Sequence, residues 1–93
     1  MKLALYVVGS TPRSTRAIVN VRKLCEDHMP GRYVLEVVDL SLHPAAAAPA
    51  QVIAAPTLVK EHPPPVRRLI GDMSDTGLIL DRLGIVRRSD SVD

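Results

Sequence analysis

At 93 residues the chain has room for one domain and one modest core, and an apolar content of 46% excludes a disordered polymer. A formal net charge of +2, with Tyr6 and Tyr33 as the only aromatic residues, supplies neither the field nor the stacking platforms of a nucleic-acid binder. Cys25 is the single cysteine, which excludes an internal disulfide and any cysteine-based zinc site.

The opening MKLALYVVG is one strand long and lacks the extended apolar stretch and cleavage site of a secretory signal. No run approaches the roughly 20 apolar residues that span a bilayer. The expectation is a cytoplasmic protein without membrane contact.

Leu3–Val8 is an almost unbroken apolar run, as in a strand covered on both faces. Gly9, Ser10, Thr11 and Pro12 end it and start a helix: Ser10 or Thr11 supplies a cap, and Pro12 suits the first helical position. From Arg13 to about His28, Ala17, Ile18, Val21, Leu24 and Cys25 recur at three- and four-residue steps, the stripe of an amphipathic helix. Pro30 and Gly31 stop it. Tyr33–Leu40 is a second apolar strand, and strand, helix, strand with short joins implies a right-handed crossover between parallel strands.

Ser41–Pro44 reads as a turn. Ala45–Ala48 favours helix, with Pro49 limiting its length. Pro56–Lys60 and Val66–Ile70 read as strands paired in a hairpin, because His62–Pro65, with three consecutive prolines, must be a loop. Asp72 to Asp75 offer caps for a last helix over Thr76–Leu83, in which Ile79, Leu83 and Val86 share a face and Gly84 is the stop. Arg87–Asp93 is a polar tail expected to fray. The order βαβαββα, with Pro56 opening the third strand as a candidate cis proline, is the layout of a single thioredoxin-like α/β domain. Layout alone says little about function.

Four segments carry a more specific likeness. Gly9–Ala17 (GSTPRSTRA), Val37–Leu40 (VVDL), Ala54–Val59 (AAPTLV) and above all Pro63–Asp75 (PPPVRRLIGDMSD) resemble the KaiB family in order and spacing. That resemblance implies a clock or regulatory protein, not an enzyme, which docks on a KaiC-type ATPase and modulates its phosphorylation state. KaiA and a clock-output histidine kinase are the further partners it implies. It also implies two folds: a thioredoxin-like monomer that binds the ATPase, and a ground-state form, often tetrameric, with the second half rearranged. By position, Arg16, Pro65, Val66, Arg67 and Arg68 match the family's partner-binding segments. Ala45–Ala50 departs from a stretch that is charged in the family, and Glu36 stands where a basic residue occurs in a strand implicated in KaiA capture.

Read as bare sequence, Arg67 and Arg68 are solvated charges that point to opposite faces of a strand; the resemblance makes at least one of them a binding edge. The ground-state form asks part of Ala45–Val52 to become strand and the stretch Arg67–Asp75 to become helix. Alanines disfavour strand, and Gly71 within a helix costs on the order of 1 kcal/mol. The expectation is therefore the thioredoxin-like monomer.

Dithiol chemistry needs a Cys-x-x-Cys pair at the start of the first helix, where the helix dipole lowers the nucleophile's pKa. Ser10, Thr11, Pro12 and Arg13 hold those places. Cys25 sits on the apolar stripe and reads as packing. The enzyme-like alternative is a glutathione-transferase-like half, or another thioredoxin-fold small-molecule binder, in which Ser10, Pro56 and the Ser74–Asp75 pair would hold the ligand. The helical second domain that completes such a site has no residues here, and capping accounts for both serines. His28, His43 and His62 have no second ligand at metal spacing, and Gly9 alone does not make a phosphate-binding loop. No metal or cofactor is expected.

Overall fold

Thr11 and Pro12 start the first helix as their chemistry requires. Thr11 Oγ1 accepts the N–H of Ser14 at 3.3 Å, and Pro12 occupies the first turn, where its missing N–H has no partner to lose. The resulting α1 (Pro12–His28) joins β1 (Lys2–Val7) to β2 (Val34–Asp39), and the two strands run parallel with Leu3 beside Leu35 and Leu5 beside Val37. A short 3-10 turn, Pro44–Ala46, leads into α2 (Ala47–Ala50). β3 (Thr57–His62) lies antiparallel to β1, and β4 (Arg67–Ile70) antiparallel to β3, giving the sheet order β2-β1-β3-β4. Asp75 caps α3 (Thr76–Leu83) by accepting the N–H of Leu78, and Gly84 ends it at φ 73°. The computed structural model describes residues 1–85; the tail 87–93 and Val86 lie outside them.

β1 is central, and alternation along it splits the core in two. Leu3, Leu5 and Val7 join Leu58 and Leu69 beneath Ala17, Val21, Leu24 and Cys25 of α1 and Ile79, Leu80 and Leu83 of α3. Ala4 and Tyr6 face the other way and meet Val59 and Val52, with Ala46, Ala47 and Ala50 packed on them only in part. The first layer carries most of the burial. Truncating a leucine there, such as Leu5 or Leu58, costs about 2–5 kcal/mol.

Several boundaries move for identifiable reasons. β1 stops at Val7, and Val8 is half exposed. β3 runs on to His62, because Lys2 pairs with His62 across a bulge and holds those residues in the ladder. Pro49 does not stop α2, which includes it: in a helix this short its nitrogen falls in the first turn, where no backbone bond is due. β2 is not covered on both faces as its apolar run suggests. It is an edge strand, with Val34 63% exposed and Glu36 exposed. Ala47–Ala50 as helix and Arg67–Ile70 as strand are the arrangement expected of the thioredoxin-like form, not of the ground-state alternative.

Candidate partner-binding surface

β4 forms the edge opposite β2, and its register sets what each residue offers. Arg67 lies opposite Lys60, Arg68 opposite Val59, Leu69 opposite Leu58 and Ile70 opposite Thr57. Leu69 is buried beneath the helices, so Arg67 shares the α1 and α3 side of the sheet, while Arg68 and Ile70 face the α2 side. The Arg67 side chain is exposed and makes no hydrogen bond or ion pair among the described residues. Arg68, also exposed, donates from Nε to the carbonyl of Ala50 at 2.9 Å. Pro65 is exposed at the head of the strand, and Val66 is 46% exposed.

The charge around this edge is uneven. Lys60 is 5% exposed although it stands directly across from Arg67, a like-charge pairing that disfavours the ladder and favours an anion nearby. On the opposite face, the cross-strand row Glu36, Ala4, Val59, Arg68 places an acid and a base at the two edges. Tyr6 sits over that row; its hydroxyl pKa is raised by burial first, then by Glu61 and Glu36, against the opposing pull of Arg68.

Arg16 stands apart from Arg68. It lies on α1, where its Nε meets Asp72 Oδ2 at 3.4 Å, and Asn20 Nδ2 donates to the Asp72 carbonyl at 2.9 Å. The Asp72 carboxyl is held below its usual range by the Ser74 hydroxyl, with further help from the Ser74 N–H and Arg16. Arg16 thus fastens the β4–α3 loop to α1, on the side of the sheet away from Arg68, and the two do not make one patch.

The first loop is organised by a carboxylate instead of a thiol. Asp39 Oδ1 accepts the N–H of Gly9 at 2.9 Å, the N–H of Ser41 at 2.9 Å and the hydroxyl of Ser41 at 2.6 Å. The Ser41 hydroxyl first, then the two N–H groups, keep its pKa low. Ser14 is buried and accepts the N–H of Val8 at 3.1 Å. Ser10–Arg13 are exposed. Cys25 is fully buried, and burial, with a smaller push from Glu26, moves its thiol up to about 11. The Ala55–Pro56 peptide is cis. Asp75, which the glutathione-like alternative needs for a ligand, is spent on capping α3. Among the described residues no three of His, Cys, Asp and Glu are grouped to hold a metal.

Three features have no counterpart in the sequence reading: the buried Lys60, the Asp72 hub, and a pocket of about 160 Å³ where β4 meets α3. The run Ile70–Asp75, with two acids and a serine clustered around Met73 just after a glycine, is the one signal that pointed toward a built loop.

A four-stranded mixed sheet in the order β2-β1-β3-β4, a cis proline before β3 and a first loop without thiols define a thioredoxin-like domain. The N-terminal domain of Synechococcus elongatus SasA matches this fold with a TM-score of 0.72 at 22% identity, over 88% of this chain and 77% of that one. Thioredoxin of Fasciola hepatica matches with a TM-score of 0.70 at 19% identity, over 89% and 77%. The model of the KaiB domain matches residues 4–85. A circadian clock oscillator protein KaiB of Prochlorococcus marinus is 44% identical over 84 residues, 90% of this chain and 80% of the relative. The circadian clock protein KaiB3 of Synechocystis is 39% identical over 84 residues, 90% and 82%. The chain belongs to the KaiB family.

Proposed function

We propose that this protein is a non-catalytic clock regulator that binds a KaiC-type ATPase through the leading end of β4 and modulates its phosphorylation state. Pro65, Val66 and Arg67 make the contact, Arg68 supports it from the α2 side, and Arg16 holds the following loop in place. The observation that carries this reading is that Pro65–Arg68, inside the span matched by the KaiB domain, lies on an exposed sheet edge, with the Arg67 side chain carrying an unspent charge. A rigid proline loop and an ordered strand lose little entropy on docking, which favours association.

The thioredoxin-like form described above is the binding-competent monomer in this reading, and a rearranged second half, assembled as a tetramer, is its reservoir. Two folds of one sequence need differ by only a few kcal/mol. KaiA and an output histidine kinase are further partners in the same cytoplasmic pathway, with the acidic Glu36 on β2 weakening the case for KaiA. Neither nucleic acid, membrane nor cofactor takes part. Among the described residues no helix is long and apolar enough to cross a membrane.

Size-exclusion co-elution with a KaiC-type ATPase from the same source, in ATP and in ADP, tests the reading. A complex that is lost or weakened in Arg67→Ala supports it. Separate elution of the intact protein under both nucleotides sinks it.

A further inference from the structure

The outer edge of β4 is an open strand edge whose phase can be assigned. Gly71 donates to the carbonyl of Pro56 at 3.0 Å, and residues of the β3–β4 ladder pair as 57 with 70 and 58 with 69. The Pro56–Gly71 pair is therefore a hydrogen-bonded one, and alternation makes Leu58–Leu69 and Lys60–Arg67 hydrogen-bonded as well. Leu69 and Arg67 spend their N–H and C=O groups on β3. Arg68 and Ile70 aim theirs outward, and among the described residues no strand lies beyond them.

Exposed unpaired edges are templates for another strand unless something blunts them. Here two charges do so without any proline inside the strand. The same edge carries exposed apolar side chains, with Val66 46% and Ile70 60% exposed. At its far end the strand meets α3 in a pocket of about 160 Å³ lined by Ile70, Gly71, Met73, Leu78 and Ile79. Leu78 is itself 44% exposed there. Asp72 and Asp75 also border the pocket, which disfavours an acidic occupant at that point.

We propose that β4 and the pocket beside α3 form a strand-addition groove that takes an extended peptide segment of a partner protein. The segment pairs with the outward N–H and C=O groups of Arg68 and Ile70. It places one apolar side chain in the pocket between Ile70 and Leu78, and acidic side chains beside Arg67 and Arg68. Main-chain bonds supply the affinity of such an interaction, and pockets for individual side chains supply its specificity. Opposite charge selects the acidic sequence. This deepens, and rests on, the reading of β4 as the docking surface for the ATPase.

The probe is an acetylated and amidated peptide of sequence Ser-Leu-Thr-Glu-Glu-Val-Thr, titrated into the intact protein to millimolar concentration with amide exchange followed by NMR. The amides of Arg68 and Ile70 are expected to slow by about tenfold or more, while those of Arg67 and Leu69, already bonded to β3, stay unchanged. Two versions N-methylated on alternate residues, one in each phase, should differ: one loses binding and the other keeps it. Replacing both glutamates of the peptide by lysine should weaken it by about tenfold or more.

Protection confined to the β2 edge overturns the proposal, as does binding that leaves Arg68 and Ile70 exchanging freely, and as does no binding. An ATPase complex in which those two amides still exchange overturns strand addition while leaving ATPase binding standing. Peptide pairing without any ATPase complex does the reverse.

Discussion

Arg68 Nε donates to the carbonyl oxygen of Ala50 at 2.9 Å, so one of the two arginines of β4 closes the end of a helix eighteen positions earlier in the chain. That carbonyl is among the last of α2, which has no partner of its own in the helix. The bond links the β3–β4 hairpin to the thin layer of alanines over Tyr6 and Val59.

The two arginines should therefore respond differently to removal. Arg67→Ala is expected to leave stability within about 0.5 kcal/mol, since it breaks no bond and relieves the like charge across from Lys60. Arg68→Ala should lower stability by up to about 1 kcal/mol, as exposed polar links do, and should speed amide exchange at Gln51 and Val52. Urea denaturation with exchange mass spectrometry of both variants checks this. Equal exchange at residues 51 and 52 in the two variants would contradict it.

Cys25 should be inert in the native protein. With its thiol pushed up to about 11 by burial, against an ordinary 9.0, the thiolate fraction at pH 8 falls by about a hundredfold. Reaction with a disulfide reagent at pH 8 should be slow in buffer and rapid in guanidinium chloride. The raised pKa also means that unfolding favours the thiolate at high pH. Its contribution to stability is full below pH 9 and is lost as pH rises toward 11.

Asp39 and Asp72 set the acid limb. Both carboxyls lie below their ordinary 3.8 in the folded chain, because hydrogen bonds favour their charged forms. Their stabilisation is complete above that value and disappears as pH falls through the lower folded value. Asp39→Ala should lower the Tm at pH 7 and flatten the fall in Tm below pH 4. It should also free the Gly9 amide to exchange, since Oδ1 is that amide's acceptor. An unchanged acid limb in this variant would contradict the assignment.

Gly71 stands at φ 130°, a region that side-chain-bearing residues rarely adopt, yet a Cβ there would meet nothing within 4 Å. The cost of Gly71→Ala is therefore backbone strain alone, about 1–3 kcal/mol. Thermal melts should show a clear loss of Tm with an unaltered circular dichroism spectrum at 25 °C. A neutral result would mean that the turn re-forms in another conformation.

Much of this fold is legible in the chain because its punctuation is local. Thr11 and Pro12 start α1, Asp75 and Gly84 bracket α3, and the three prolines after His62 break the hairpin, each through its own backbone chemistry. The coverage of β2 was not legible. Its apolar residues read like those of a central strand, and only the sheet order reveals it as an edge. The candidate site divides in the same way. That Arg67 and Arg68 face opposite sides follows from strand alternation. The partners of Arg68 and Arg16, however, lie 18 and 56 positions away and depend on where α2 and the β4–α3 loop come to rest. The burial of Lys60 was likewise hidden, since a lysine ending an apolar run ordinarily reads as a strand's exposed end.

Charge reversal at the one unspent arginine of β4 tests the central claim most directly. Affinity of the fluorescently labelled protein for a KaiC-type ATPase ring, measured by anisotropy, should fall by about tenfold or more in Arg67→Glu, a loss near 1.4 kcal/mol. A control reversal at Arg22, exposed on the outer side of α1, should leave it within about twofold. Equal affinities for wild type and Arg67→Glu, or an equal loss in both variants, would contradict docking through β4.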